Sequence, residues 1–350
     1  MSKTSTHTKA PLIGMNHSDL VELCHQAGVK TVHADHIVAS VFRRYNTNIS
    51  DIPRIPLALH EYLNAHVSMF EPTCTAEQLA ADGTRKLVLQ MPDGKAVETV
   101  LIDGGKRLTQ CISTQVGCAV GCTFCLTATA GLTRNLSAAE MVAEIMAGQR
   151  ISGQQVSNIV LMGMGEPLHN YDAVKQFLNI VTDPKGMAFS PNRVTLSTSG
   201  MVPAIYRMLE DKLPCNLAVS LNATTDEVRD RIIPINKKYP IAELMQAVRT
   251  YIQKRGHKRV LIEYVMLAGI NDSIDDAMRL CQLLEGLNCT INLLPFNPYP
   301  GSEFKRPDQR AVHAFQAVLV EAKLIAIERK SKGREISAAC GQLITEIRTR

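Results

Sequence analysis

Apolar residues change their spacing twice along the chain, and each change predicts a different kind of structure. From Pro11 to about Val67 they recur every three or four residues, which is typical of amphipathic helices. From about Thr73 to Asp103 they alternate with polar residues on both sides of the letters PDG, which predicts a β-hairpin with its turn there. We therefore expect a small N-terminal helical domain over residues 1–70, with its polar first ten or so residues disordered, and a β-hairpin linker over residues 71–105.

After Lys106 short apolar runs alternate with helical segments, which is the pattern of parallel βα units. The six predicted strands lie at Gln110–Val116, Asn158–Met162, Arg193–Ser197, Asn216–Leu221, Val260–Met266 and Thr290–Phe296. The predicted helices lie at Ala138–Gln149, Asp172–Val181, Val202–Leu209, Ala242–Lys254, Ile274–Leu284 and Asp308–Ala322. These units predict an α/β fold with a partial barrel over residues 106–350, whose catalytic groups should lie at the carboxyl ends of the strands.

Composition narrows the class of protein without naming its function. The chain has 350 residues, 45% of them apolar, and it contains neither an apolar run of transmembrane length nor a signal-peptide core. We expect a cytoplasmic protein without membrane association, in which the ten cysteines are reduced thiols, metal ligands or catalytic groups. A net charge of +5 permits nucleic acid as a partner without requiring it.

Three closely spaced cysteines, Cys118, Cys122 and Cys125, are the strongest chemical signal in the chain. Four thiolates would complete the ligation of a 4Fe-4S cluster, so three leave one iron open to another ligand. This spacing resembles the signature of radical S-adenosylmethionine (SAM) enzymes, in which the methionine amine and carboxylate of SAM bind that iron. A zinc site is the alternative, but zinc would normally require a fourth Cys or His at matching spacing, and none follows closely after Cys125.

Small polar residues follow several of the predicted strands. In GMGEPL, Gly165 lets the backbone approach a ligand closely, and the carboxylate of Glu166 can accept hydrogen bonds from an ammonium group. This motif resembles the one that holds the SAM amine in radical SAM enzymes. The other strand ends complete a predicted nucleoside and carboxylate site with Ser197, Ser220, Leu221, Asn222 and Asn297.

Collinear motifs over nearly the whole chain resemble the RlmN/Cfr family of radical SAM RNA adenosine methyltransferases. The matching segments are ETVLI, CISTQVGCAVGCTFC, MGMGEPL, TLSTSG, INKKY, IEYVML, NLLPFNPYPG and AACGQL. The resemblance implies a partial (β/α)6 radical SAM barrel with a small N-terminal helical accessory domain. It also implies a 4Fe-4S cluster on the cysteine triplet and two molecules of SAM per turnover.

The resemblance assigns roles to three further residues. A first SAM methylates Cys340; a second is cleaved at the cluster, and its deoxyadenosyl radical removes a hydrogen atom from the S-methyl group. The resulting carbon radical adds to the electron-poor adenine ring. Glu98 is then the implied proton acceptor, and Cys111 is the implied resolving thiol, which forms a transient disulfide with Cys340. The remaining cysteines are expected to be ordinary packed thiols: Cys24, Cys74, Cys215, Cys281 and Cys289.

The expected function is methylation of adenosine C2 in RNA, on large-subunit ribosomal RNA and with transfer RNA as a second candidate. We expect a monomer that receives electrons from a flavodoxin- or ferredoxin-type donor. The target adenine has to leave its stacked structure to react, and the N-terminal domain with Arg43 and Arg44 is a candidate holder of the RNA body.

Three alternatives remain open at this point: Cfr-like methylation of adenosine C8 in ribosomal RNA, a radical SAM activase that does not act on RNA, and a non-catalytic RNA-binding protein. C2 and C8 methylation use the same catalytic residues, so motif spacing does not separate them. The proline that follows Glu166 favours the C2-methylating branch of the family.

Overall fold

The computed structural model describes residues 9–344 and gives fourteen strands and eleven α-helices in that range. The strands are β1 (Ala10–Pro11), β2 (Val67–Ser68), β3 (Thr73–Leu79), β4 (Arg85–Gln90), β5 (Ala96–Asp103), β6 (Leu108–Ile112), β7 (Gln115–Gly117), β8 (Leu132–Asn135), β9 (Val156–Leu161), β10 (Val194–Thr198), β11 (Asn216–Ser220), β12 (Val260–Met266), β13 (Cys289–Pro295) and β14 (Ala326–Glu328). The helices are α1 (His17–Gln26), α2 (Val32–Arg44), α3 (Leu57–His66), α4 (Leu126–Thr129), α5 (Ala138–Ser152), α6 (Tyr171–Thr182), α7 (Val202–Glu210), α8 (Asp226–Ile232), α9 (Ile241–Lys254), α10 (Ile274–Leu284) and α11 (Gln309–Glu321).

Ten strands form one continuous sheet in the order β14-β13-β12-β11-β10-β9-β6-β5-β4-β3. β6 and the strands from β9 to β14 pair in parallel, and helices connect each of them to the next. This arrangement confirms the predicted α/β partial barrel, because all six predicted strands are present. A seventh parallel strand, the three-residue β14, lies at the edge and is too short for a periodic signal in the sequence.

The predicted strand Gln110–Val116 is wrong in its second half. The chain leaves the sheet after Ile112, and β7 pairs with β8 in a separate antiparallel ribbon. The backbone donors at the break find partners outside the sheet: the Ser113 N–H donates to Glu144, and the N–H groups of Thr114 and Gln115 donate to the Met164 carbonyl. The cysteine triplet therefore lies on the loop that joins β7 to β8.

The predicted hairpin around PDG is present as β4 and β5, with Gln90 opposite Ala96. A third antiparallel strand, β3, precedes it, and β5 pairs with β6. The segment expected to be a linker is therefore a three-stranded extension of the barrel sheet. The division of the chain at residues 70 and 105 stays a prediction.

The predicted N-terminal helices are α1, α2 and α3, and their apolar residues share one core with the barrel. The short turn Leu12–Gly14 packs against α5, and Gln176 of α6 donates a hydrogen bond of 2.8 Å to the Gly14 carbonyl. The expected disorder falls mainly on residues 1–8, which lie outside the described residues, while Ala10 already belongs to β1. Between residues 9 and 344, no helix combines the length and hydropathy needed to cross a membrane.

Candidate active site

A cavity of about 160 Å³ opens at the carboxyl ends of the parallel strands, where a βα barrel places its reacting groups. Ten of the thirteen predicted site residues line it: Cys118, Cys122, Cys125, Gly165, Glu166, Ser197, Ser220, Asn222, Asn297 and Cys340. Glu98, Cys111 and Leu221 lie outside its lining. The fold thus brings side chains from five strand ends and the C-terminal segment to one place.

The cysteine loop is fixed at both ends. At its start Gly117 has φ +79°, and a Cβ there would lie 1.8 Å from the Gly131 carbonyl oxygen, so only glycine fits the ribbon. The next N–H, that of Cys118, donates to the same carbonyl at 2.9 Å. Val120 and Phe124 of the loop belong to a separate buried apolar cluster, against which all three cysteines pack.

The three thiols lie in surroundings that disfavour a bare negative charge. Burial raises the pKa of Cys118 to about 11, and burial together with the neighbouring cysteines raises the pKa of Cys122. Burial also raises the pKa of Cys125. Thiolates at these positions therefore require a positively charged partner, such as bound iron.

The three thiols are not gathered round a single point. Within the described residues, no three His, Cys, Asp or Glu side chains are gathered so that they could hold one metal ion. A zinc ion would draw its thiolate sulfurs to about 2.3 Å from one centre, whereas a 4Fe-4S cluster binds each thiolate through a different iron.

Glu166 presents a buried carboxylate to the cavity, with 3% of the residue exposed. Its Oε1 accepts the Leu168 N–H at 3.0 Å, and its Oε2 accepts the N–H and Oγ of Ser199 at 2.7 and 2.8 Å. A carboxylate has about four acceptor sites, so three are used and one is open to a ligand. Because no salt bridge within residues 9–344 includes Glu166, its negative charge is also available to an ammonium group.

Gly165 sets the position of this carboxylate. Its φ is +104°, and a Cβ there would lie 2.6 Å from the Cβ of Gln115. The Oε1 of Gln115 in turn accepts the Glu166 N–H at 2.8 Å. The motif therefore needs glycine both for its backbone conformation and for its close contact with Gln115, the first residue of β7.

Arg229 of α8 was not predicted from the sequence as a site residue. Its guanidinium forms hydrogen bonds to backbone carbonyls at the ends of β10 and β11. It is fully buried; its Nη2 donates to the carbonyls of Ser199 and Ser220 at 2.6 and 3.2 Å, and its Nε donates to the Leu221 carbonyl at 3.0 Å. Nη1 donates to Asn236, a residue of the INKKY segment, at 2.9 Å. Burial lowers the pKa of Arg229 to about 10, so the guanidinium stays charged at neutral pH.

Leu221 thus takes part through its backbone, while its side chain is fully buried in the core. Asn222, which follows it, has φ +57°, and its Oδ1 accepts the Val265 N–H at 2.7 Å, linking the ends of β11 and β12. Asn297 accepts a 3.3 Å hydrogen bond from Arg306, which also donates to the carbonyls of Pro295 and Phe296. These contacts give the cavity wall a defined shape.

Cys111 and Cys340 come from β6 and from the C-terminal segment, and Cys340 lies near enough to Cys111 to affect its pKa. Cys111 is buried on β6, where burial and then the nearby Cys340 raise its pKa. Cys340 is accessible through the cavity, yet the surrounding protein atoms and then Glu263 raise its pKa to about 11. The next residue, Gly341, accepts the Leu126 N–H at 2.7 Å, which anchors the segment beside the cluster loop.

Two further charged residues complete the site, and neither was singled out in the sequence. Lys86 of β4 lies 3.0 Å from Oε1 of Glu98, and burial raises the pKa of Glu98 although Lys86 opposes this effect. Glu263, in the IEYVML segment, lines the cavity and accepts a 2.8 Å hydrogen bond from Asn292. Burial raises its pKa as well. The signal that could have found Glu263 is strand alternation, which places it on the same face of β12 as Val265, another residue that lines the cavity.

Comparison with known proteins identifies the family. Residues 112–281 match the Radical SAM superfamily. The chain is 45% identical over 341 residues to the dual-specificity RNA methyltransferase RlmN of Rhodospirillum rubrum, with 95% of this chain and 79% of that protein covered. It is 40% identical over 354 residues to the protein of the same name from Marinobacter nauticus, which covers 99% of this chain and 96% of that protein.

A solved structure agrees with these matches. The radical SAM methyltransferase from Sphaerobacter thermophilus is 40% identical, superposes with a TM-score of 0.90, and covers 95% of this chain and 99% of its own. The predicted enzyme class and its cofactors, a 4Fe-4S cluster and SAM, are thereby confirmed. With the superfamily match over the cysteine triplet and relatives of one name over nearly the whole length, this chain belongs to the RlmN family of radical SAM RNA methyltransferases.

Proposed function

We propose that this chain methylates adenosine C2 in RNA through a methylated Cys340. The observation that carries the proposal is the position of Cys340, which lines the cavity together with the cysteine triplet and lies near enough to Cys111 to raise the pKa of that thiol. Cys340 lines the cavity, and Cys111 is buried on β6 outside the cavity lining. An activase that never bonds to its substrate has no use for a second pair of thiols at this place.

The residues divide the chemistry between them. When bound, the cluster supplies the electron that cleaves SAM, and SAM supplies both the methyl group and the hydrogen-abstracting radical. Cys118, Cys122 and Cys125 would ligate the cluster, and Glu166 would hold the SAM ammonium through its open acceptor site. The sulfur of Cys340 carries the one-carbon unit that becomes bonded to C2 of the adenine.

Release of the product uses the two remaining groups. Glu98 accepts the ring proton, and the unpaired electron that radical addition leaves on the adduct would return to the cluster, which gave up one electron to cleave SAM. The sulfur of Cys111 then attacks the sulfur of Cys340. A disulfide forms, the bond from Cys340 sulfur to carbon breaks, and its electron pair goes to the carbon, which takes up a proton to become the methyl group. The disulfide has to be reduced before the next turnover.

RNA as the substrate is supported by the printed name of the relatives, dual-specificity RNA methyltransferase. We propose large-subunit ribosomal RNA and transfer RNA as the two substrates, and a cytoplasmic monomer served by a flavodoxin- or ferredoxin-type donor. The N-terminal domain stays a candidate RNA holder. Its Arg43 borders a groove together with Arg193 and Val156. This groove lies at the amino ends of the strands, and the length of β9, about 20 Å, separates it from the cavity.

The proposal is tested by turnover with methyl-deuterated SAM under anaerobic conditions. Cluster-reconstituted protein is incubated with unmodified ribosomal or transfer RNA, and nucleosides are separated by mass spectrometry against both methyladenosine standards. Labelled 2-methyladenosine is the expected product, and the RNA that carries it identifies the substrate. Labelled 8-methyladenosine would assign the Cfr-like reaction instead, and SAM cleavage without labelled nucleoside would refute RNA methylation.

A further inference from the structure

Two buried residues of the β4–β5 hairpin contact both ends of the segment that carries Cys340. We name residues 337–344 the Cys340 segment. Lys86 Nζ donates to the carbonyl of Ser337 at 3.3 Å, and Glu98 Oε2 accepts the N–H of Ile344 at 2.9 Å. The two side chains are 3.0 Å apart and only 8% and 3% exposed. One ion pair therefore joins the two ends of the segment.

The strand register explains why these groups meet. Lys86 lies opposite Val100 and Glu98 lies opposite Val88, so the pair is a diagonal one on a single face of the hairpin. Cys111 on β6 also lies opposite Val100 and so shares that face. The groups that face Glu98 are thus Lys86 from β4, Cys111 from β6 and the Ile344 N–H from the Cys340 segment.

Other groups around Glu98 leave Lys86 as its main charged neighbour. The backbone N–H of Glu98 donates to Met164 Sδ at 3.5 Å, and its carbonyl accepts from Ser113 Oγ at 2.7 Å. Neither neighbour carries a charge. Among the described residues, the charge that acts on the Glu98 carboxyl is that of Lys86.

We propose that Lys86 is a positioning residue for both Glu98 and the Cys340 segment, and that its ion pair couples protonation of Glu98 to release of that segment. This inference rests on the proposed function, in which Glu98 accepts the ring proton. With Glu98 ionised, its bonds to Lys86 and to the Ile344 N–H are charge-assisted and strong. Once Glu98 is neutral, both bonds weaken: the Ile344 end of the segment loses a charge-assisted contact, and Lys86, which contacts the Ser337 end, loses the partner that holds it in place.

The order of events gives this coupling a use. The ring proton is removed before Cys111 attacks the Cys340 sulfur, and that attack requires the two sulfurs to come into bonding distance. Formation of the carbon–carbon bond requires the Cys340 segment to be held in place, and the attack by Cys111 requires it to move. Both requirements are met if transfer of the ring proton to Glu98 releases the segment. The ion pair thus allows the segment to move only after the adduct is ready for resolution.

The first test is the pH dependence of single-turnover methyl transfer to RNA. Lys86→Met removes the charge that favours ionised Glu98. The acidic limb of the pH–rate profile of this variant should therefore move up by at least one pH unit, whereas Lys86→Arg should keep the wild-type profile. Lys95→Met, on an exposed lysine of the same hairpin, is the matched control. A rate that falls equally at every pH in Lys86→Met would mean a packing role and overturn the proposal.

The second test measures the Cys340 segment directly, without turnover. Hydrogen exchange of the full, cluster-loaded chain is followed on the peptide that ends at Ile344. Lys86→Met and Glu98→Gln should each speed exchange there at least fivefold, and Lys95→Met should not. If Lys86→Met fails to fold, Glu98→Gln and Lys86→Arg still decide the question, and unchanged exchange in Glu98→Gln refutes the clamp.

The same variants distinguish a failure of the proposed function from a failure of the inference about Lys86. If Glu98→Gln transfers methyl groups at the wild-type rate, Glu98 is not the proton acceptor, whatever Lys86 does. If Glu98→Gln blocks transfer while Lys86→Met leaves both the pH profile and the exchange rate unchanged, only the inference about Lys86 fails.

Discussion

The buried guanidinium of Arg229 donates a 2.6 Å hydrogen bond to the carbonyl oxygen of Ser199. Ser199 in turn donates through its N–H and its Oγ to Glu166, the carboxylate with one acceptor site open to a ligand. Arg229 also holds the carbonyls of Ser220 and Leu221. A single helical residue outside the cavity lining therefore aligns the ends of β10 and β11 beneath the expected SAM site.

Replacing Arg229 should weaken SAM binding although the residue does not line the cavity. Arg229→Met leaves three buried carbonyl groups without their donor, which should raise the Kd for SAM at least tenfold and destabilise the fold by about 3 kcal/mol. Calorimetric titration of cluster-loaded protein with SAM gives the Kd. Arg231→Met, on the exposed side of the same helix, is the control; equal Kd values for the two variants would contradict the alignment role.

A methyl group at position 165 should disable SAM binding while leaving the cluster in place. Gly165→Ala puts a Cβ 2.6 Å from the Gln115 side chain at φ +104°, so the Glu166 carboxylate has to shift. We expect normal cluster absorbance with loss of SAM binding. The control is Gly153→Ala, which also has positive φ but open space around it, so it should lose about 1 kcal/mol of stability and bind SAM normally. Normal SAM binding by Gly165→Ala would show that the carboxylate position is not critical.

The two thiols should give different failures when each is removed. Cys340→Ala should still cleave SAM reductively to some extent but transfer no methyl group to RNA, because the carrier sulfur is gone. Cys111→Ala should accumulate a covalent protein–RNA adduct, visible as a shifted band on a denaturing gel, because resolution requires the second thiol. Cys74→Ala, on β3 away from the cavity, should behave as wild type. Undiminished transfer by Cys340→Ala, or free methylated RNA at the normal rate from Cys111→Ala, would refute these roles.

Glu144 should make the protein less stable as the pH rises. It is fully buried on α5, accepts the Ser113 N–H at 3.0 Å, and burial raises its pKa well above the ordinary value of 4.5. Because the folded chain holds this proton more tightly than the unfolded chain, the stabilisation is complete below about pH 4.5 and declines above it. The glutamine in Glu144→Gln does not titrate. The free energy of unfolding of this variant minus that of wild type should therefore increase by up to about 1.4 kcal/mol per pH unit from about pH 5 upward.

Urea denaturation of anaerobically purified protein between pH 5 and pH 8 measures this difference. Glu210→Gln, at an exposed position, should run parallel to wild type over the same range. Parallel curves for Glu144→Gln and wild type would mean that Glu144 is already ionised in the folded state.

Local features of the chain were predictable because their determinants are adjacent in sequence. The parallel strands β9 to β13 follow from apolar runs between helical segments, and the cysteine triplet follows from three ligands within one loop. The break after Ile112 was not predictable, because no glycine or proline marks it before Gly117. Its cause is the capture of the next N–H groups by Glu144 and Met164, which lie 31 or more residues further along the chain.

The sequence by itself determined the family, the six parallel strands of the barrel and ten of the residues that line the cavity, since motifs at strand ends converge by the geometry of a parallel sheet. Only the tertiary structure decided that Arg229 binds the Ser199 carbonyl, that Lys86 pairs with Glu98, and that Cys340 comes near enough to Cys111 to raise its pKa. Each of these relationships joins different elements, and its existence depends on strand order, register and the return of the C-terminal segment over the sheet. Those are properties of the assembled chain, because spacing along a sequence carries no record of which distant segments pack together.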